Sequence, residues 1–262
     1  MNLQLFYKIL YTLCLLFFCN SLLSQKSENQ FYSLKIYSYS SLKNEKQIDT
    51  YLRDAYLPAL KRISISPVGV FKLKDQSKDT IMRTYVLVPL NSLDDVYTLD
   101  EKISQDSIYM SSSEDFLNAP FENAPYNRMQ TIILKAFDEM PFLQAPLLNG
   151  PREERVYELR SYESPTVTLH KNKVKMFNEG GEIKLFKNLG FNAVFYSSVI
   201  AGSQMPNLMY MTTFNDKKSR DAHWDAFGKS PVWKKLSSLP EYQNNVSHID
   251  IVFLYPTSYS DY

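Results

Sequence analysis

Phe31-Tyr32-Ser33-Leu34-Lys35-Ile36-Tyr37 is echoed by Val156-Tyr157-Glu158-Leu159-Arg160-Ser161-Tyr162. Each stretch is an apolar residue followed by Tyr-x-Leu-basic-x-Tyr, and the offset is 125 residues. The register persists at an offset of 124, with Val70-Phe71 against Val194-Phe195 and Leu90-Asn91 against Phe214-Asn215. Matches in nearly constant register indicate a duplicated unit. The strict alternation within each stretch reads as a strand with two different faces. Tyr32, Leu34 and Ile36 share one face, with Ser33, Lys35 and Tyr37 on the other. The expectation is that the Tyr/Leu face lies under helices, while the basic and tyrosine face lies between two sheets.

Working outward, each repeat reads as strand, helix, strand, strand, helix, strand. In the first, strands fall at 31–39, 68–73, 80–88 and 129–137, with a helix over 45–62 and a second opened by Ser92 as N-cap. The polar turn 75–79 joins its middle strands, and 106–126, rich in Ser, Asn and Pro, reads as irregular. In the second, strands fall at 155–162, 191–200, 207–214 and 248–255, with helices near 168–188 and 216–227. A short extra helix starts at Ser230-Pro231, serine capping and proline at the first helical position. This order is the ferredoxin-like β-α-β-β-α-β unit, whose four-stranded sheet carries helices on one face. Its other face also needs cover, and two units in one chain cover each other. The fold class is therefore α+β, two tandem ferredoxin-like domains packed sheet to sheet as a pseudo-dimeric α/β barrel. The domains run over 25–143 and 155–262, joined by the Pro/Gly-containing linker 144–154.

Residues 1–24 read as a secretory signal peptide: Lys8 precedes the apolar run 9–18, and Ser24-Gln25 is the preferred cleavage junction. The expected location is outside the cytoplasm, periplasmic or secreted, with no membrane attachment after cleavage. Cys14 and Cys19 both lie in that segment, so the mature chain has no disulfide, thiolate metal site or cysteine nucleophile. The chain has 29 basic and 28 acidic residues, and loss of Lys8 leaves 28 of each. With no basic excess, nucleic acid is not an expected partner.

The second repeat carries a further ordered pattern: Tyr157-Glu158-Leu159-Arg160-Ser161-Tyr162, Phe177, Leu185-Phe186, Gly190, Arg220-x-x-x-Trp224-x-x-Phe227 and Ser230-Pro231-x-Trp233. This pattern, spanning Arg155 to Tyr255, resembles the NIPSNAP domain. The first repeat keeps Tyr32-x-Leu34-Lys35-x-Tyr37, with lysine for arginine and no tryptophan, and reads as a diverged copy. The resemblance implies a dimeric α/β barrel and no settled enzymatic activity. Superfamily relatives include cofactor-free monooxygenases and haem proteins, a link that rests on fold alone.

The candidate ligand-binding residues are Arg160, Tyr162, His170, His223, Trp224 and Trp233. Arg160 with Tyr162 suits an anionic ligand, or, paired with Glu158, an ion-pair and hydroxyl network fixing the two sheets. His223 shares a helix with Trp224, and His170 starts the other helix and is expected to reach the same region. The tryptophans would wall a pocket or cap a helix against the core. Gly181, on one face with Val174, Phe177 and Leu185, leaves room for a ligand or breaks the helix. The histidines lack zinc-motif spacing, and no P-loop, Rossmann, G-x-S-x-G or H-E-x-x-H pattern occurs. No catalytic residue, metal or cofactor is therefore assigned. The leading expectation is a non-catalytic or small-ligand-binding exported protein whose ligand, apolar or anionic, sits in the second repeat. The alternatives are an oxygenase or isomerase-like enzyme with His223 as base, or a haem protein. The fusion acts as an intramolecular pseudo-dimer, with a further homodimer open.

Overall fold

The computed structural model describes residues 29–75 and 80–262. The signal-peptide reading lies outside the described residues, as does most of the 75–79 turn. No helix among the described residues is long and apolar enough to cross a membrane.

Eight strands form a closed barrel: β1 (Phe31–Tyr39), β2 (Gly69–Leu73), β3 (Met82–Leu90), β4 (Arg128–Ala136), β5 (Val156–Glu163), β6 (Asn192–Ala201), β7 (Asn207–Phe214) and β8 (His248–Pro256). The order around the barrel is β1-β3-β2-β8-β5-β7-β6-β4, every neighbouring pair antiparallel. Each half thus has its first strand between its third and fourth, as the ferredoxin-like unit requires. Repeat-equivalent residues occupy equivalent positions: Phe31 pairs with Leu90, and Val156 with Phe214. The halves join by hydrogen-bonded edges, β2 to β8 and β4 to β6, so closure removes the exposed strand edges of both sheets. A register shift between Ile133 and Leu134 marks the β4–β6 seam, where a bulge gives the local twist that closure needs.

The facing of the strands is the reverse of the expectation. Tyr32, Leu34, Phe71, Tyr157, Leu159 and Phe195 meet in one cluster inside the barrel, drawn from both halves. Tyr37 and Tyr39 pack under the helices of the first half, and Tyr162 and Tyr210 under those of the second. Alternation separates two faces but does not name them, because both faces of each sheet are buried. Lys35, Glu158 and Arg160 go to the outer face, where Asp100 meets Lys35 and Arg220 joins the Glu158–Arg160 pair.

The helices cover the outer faces. In the first half, α1 (Leu42–Tyr51) runs through a π-helical turn, Leu52–Tyr56, into α2 (Leu57–Arg62). After β3, α3 (Asp95–Ser104) starts at Asp94, not Ser92; the Asp95 carboxylate accepts the backbone N–H of Asn91 and Ser92. The segment expected to be irregular holds α4 (Ser107–Leu117), whose N-cap Asp106 accepts from the N–H groups of Ile108 and Tyr109. In the second half the single helix expected over 168–188 is two, α5 (Val167–Phe177) and α6 (Glu182–Asn188). Gly181 stands between them at φ +87°, and a Cβ there would meet nothing within 4 Å. Its role is the left-handed turn that breaks the helix. Next come α7 (Lys217–Lys229), capped by Asp216, and α8 (Pro231–Ser237), capped by Ser230 as the sequence predicts.

Candidate functional site

Glu158, Arg160 and Tyr162 project from β5, the strand between β7 and β8, toward α5, α6 and α7. Helix α7 presents Arg220 and Trp224, one turn apart, over them. The Glu158 carboxylate, with no exposed surface, is the hub. Its Oε1 accepts from Arg160 Nε at 2.7 Å and Arg220 Nη2 at 2.7 Å. Its Oε2 accepts from Arg220 Nε at 2.8 Å and Trp224 Nε1 at 2.7 Å. Arg160 Nη1 donates to the Tyr162 hydroxyl at 3.0 Å, which in turn lies 2.9 Å from that of Tyr210. The Arg160 guanidinium also stacks on the Trp224 ring, its Cζ 3.6 Å from the centroid. Burial pushes the Glu158 carboxyl up, but the Arg220 hydrogen bonds and the charges of Arg160 and Arg220 outweigh it and hold the group below the ordinary range.

Beside this hub, Lys173 of α5 and Glu182 of α6 form a second buried ion pair, Nζ to Oε2 2.9 Å. Burial raises the Glu182 carboxyl, with Lys173 and Arg160 opposing. The Lys173 ammonium lies 4.9 Å from the Phe177 ring centroid and 5.8 Å from that of Trp233. Trp233 itself packs on Phe227 at 4.5 Å.

The structure therefore unites Arg160, Tyr162 and Trp224, with Trp233 at the margin of the same cluster. It does not unite the histidines. His223 turns toward Phe191 and Phe214, with ring centroids 5.6 and 5.4 Å away. Its Nδ1 lies 2.6 Å from the Ser219 carbonyl oxygen, so that nitrogen carries the proton and the ring is tied to its own helix. His170, expected in the same region, forms neither a hydrogen bond nor a ring contact with it among the described residues; its Nδ1 is buried without a partner, and burial lowers its pKa.

Space for a substrate between Phe177, Gly181, His223 and Trp224 is taken by Phe186. This fully buried ring stacks on Phe227 at 4.8 Å and contacts Trp224 at 5.7 Å, Phe177 at 6.4 Å and Tyr210 at 5.9 Å. Open volume lies elsewhere. A cleft of about 660 Å³ in the first half runs between α1 and α4, with Lys43, Lys46, Gln47, Tyr51 and Phe116 among its walls. A second, about 400 Å³, lies under the linker against Met140, Pro146, Ile183, Phe191 and Tyr196. None of the candidate residues read from the sequence lines either cleft.

Sequence reading missed Arg220, Lys173, Glu182 and Tyr210 as members of the network. Arg220 carried a usable signal, its i, i+4 spacing from Trp224 on a helix over a strand bearing Glu158. Lys173 and Glu182 carried none, because the helix break at Gly181 decides that they meet.

The NIPSNAP family model matches residues 157–261. No curated protein matches the sequence. Among solved structures, a candidate monooxygenase of Fusobacterium nucleatum superposes with a TM-score of 0.61 at 8% identity, covering 88% of this chain and 93% of its own. A candidate monooxygenase of Lactobacillus acidophilus gives 0.54 at 11% identity, covering 87% and 94%. An anthrone oxidase-like protein gives 0.54 at 12% identity, covering 88% and 93%. At such identities these likenesses show the shared barrel architecture over both halves, and no chemistry. The pattern that builds the Glu158 hub lies within the matched stretch, and residues 157–261 of this chain match the NIPSNAP family.

Proposed function

We propose that this is a non-catalytic, small-ligand-binding protein, exported by its N-terminal segment and working in the periplasm or outside the cell. One observation carries the reading: the polar groups a catalyst would aim at substrate are turned on each other. Both Glu158 oxygens are engaged by Arg160, Arg220 and Trp224, and Phe186 occupies the adjoining space. Buried ionic groups that satisfy one another position elements and leave no free donor for a substrate. His223, the base of an enzymatic reading, is held by its own helix and lines neither cleft.

The volume suited to a small ligand is the first-half cleft, whose size falls in the usual range for such sites. The stacked Tyr51 and Phe116 rings, 3.9 Å apart, offer an apolar wall, and Lys43 and Lys46 offer positive charge. That chemistry suits a small ligand with an apolar body and an anionic group. The test is a fragment screen by NMR on the chain beginning at Gln25, with Phe116→Ala as the site variant. Shifts centred on α1 and α4 that vanish in the variant support the proposal. Shifts centred on Trp224, or a turnover abolished by His223→Ala, refute it. Export is tested separately by the intact mass of the released protein, expected to begin at Gln25.

A further inference from the structure

Near the end of β5, Glu163 pairs across the sheet with His248 of β8, and Asp250 follows two residues along. Alternation puts all three on the face that deeper in the barrel carries Leu159, Val252 and Leu254. They therefore stand at one mouth of the barrel. One ligand atom from each lies within 4.8 Å of the others. His248 Nε2 and Asp250 Oδ1 are 3.2 Å apart, close to the roughly 3.4 Å that separates donors around a tetrahedral Zn²⁺ with bonds near 2.1 Å.

A solvent-exposed His–Asp pair alone would need no further cause. Glu163 supplies the independent observation: its Oε1 is buried and meets no hydrogen-bond donor. A carboxylate oxygen shut from water without a partner is strongly unfavourable, and the same oxygen becomes favourable when a cation reaches it. We propose that Glu163, His248 and Asp250 bind one first-row divalent transition-metal ion, Zn²⁺ foremost, with water completing the shell on the open side. An imidazole with two carboxylates suits Zn²⁺ or Mn²⁺ and disfavours Mg²⁺, which keeps oxygen ligands and much of its water. The ligands come from two strands, so no linear spacing of histidines announces them. The ion would clamp β5 to β8 beyond the last residues of β2 that pair with β8.

The test is isothermal titration of the untagged chain with ZnCl₂, alongside Glu163→Gln, His248→Gln and Asp250→Asn. His248 and Asp250 are exposed, so their variants keep the fold, which circular dichroism verifies. Saturable binding of one Zn²⁺ per chain is expected, weakened about tenfold or more by each substitution and untouched by His223→Gln. Substituting Co²⁺ gives a visible absorption band that His248→Gln abolishes. No saturable binding by the wild type overturns the proposal. So does binding of equal strength in His248→Gln, or uptake of several ions insensitive to all three variants.

Discussion

Replacing Glu158 by glutamine keeps the shape of the side chain and removes its charge. The carboxylate accepts from Arg160, twice from Arg220 and from Trp224, with no exposed surface of its own. Glu158→Gln leaves two guanidinium groups facing a neutral amide, one side of which donates hydrogen bonds and so repels them. Removing one partner from a buried ion pair costs about 3–5 kcal/mol, against at most about 1 kcal/mol at an exposed pair. At about 2–4 °C per kcal/mol for a chain of this size, the melting temperature should fall by roughly 10 °C. Because the folded-state pKa of Glu158 lies below its ordinary 4.5, its contribution is complete above that value. It is lost as pH falls through the folded value. The gap between wild type and Glu158→Gln should therefore be wide at pH 7 and narrow as pH falls below 4.5. Thermal unfolding followed by near-ultraviolet circular dichroism across that range reads both effects. A loss under about 1 kcal/mol at pH 7, or a gap that widens in acid, would mean that Glu158 is not the buried hub of this network.

His170 has the same sign with a different cause: burial depresses its pKa below 6.5, so its contribution is present above that value and lost as pH falls. His170→Gln should gain stability relative to wild type between about pH 7 and pH 5, measured by urea titration. Gly181→Ala should cost about 1–2 kcal/mol from the left-handed backbone alone, since its Cβ has open space. Gly180→Ala should cost more, because its Cβ would lie 2.6 Å from the Met176 carbonyl oxygen; differential scanning calorimetry ranks the two. Phe71→Ala, emptying a fully buried position that packs on Tyr157 and Tyr262 of the other half, should cost about 3–5 kcal/mol in chemical denaturation.

Strand positions were legible because period-two alternation and the doubled Tyr-x-Leu-basic-x-Tyr act locally; β1 and β7 have the bounds that the sequence predicts. What alternation could not supply was which face meets which neighbour. Glu158 and Arg160 look suited to a sheet-to-sheet seam until α7 brings Arg220 and Trp224 over them. Helix α4 was hidden by its serines, which favour caps and turns, although Asp106 announced its start. The candidate site was legible as residues and not as a role. Arg160, Tyr162 and Trp224 do meet, yet the meeting is a closed network, and the filling of the adjoining space depends on Phe186, whose spacing says nothing of where its ring goes.

If the NIPSNAP pattern in this chain clamps helix to sheet, Glu158 and Arg220 are energetically coupled, which a double-mutant cycle reads. Stability is measured for wild type, Glu158→Gln, Arg220→Met and the double variant. Strong coupling is expected, about 2 kcal/mol or more, with the double variant less damaged than the sum of its parts. Additive losses, or single variants that unfold like wild type, would contradict it.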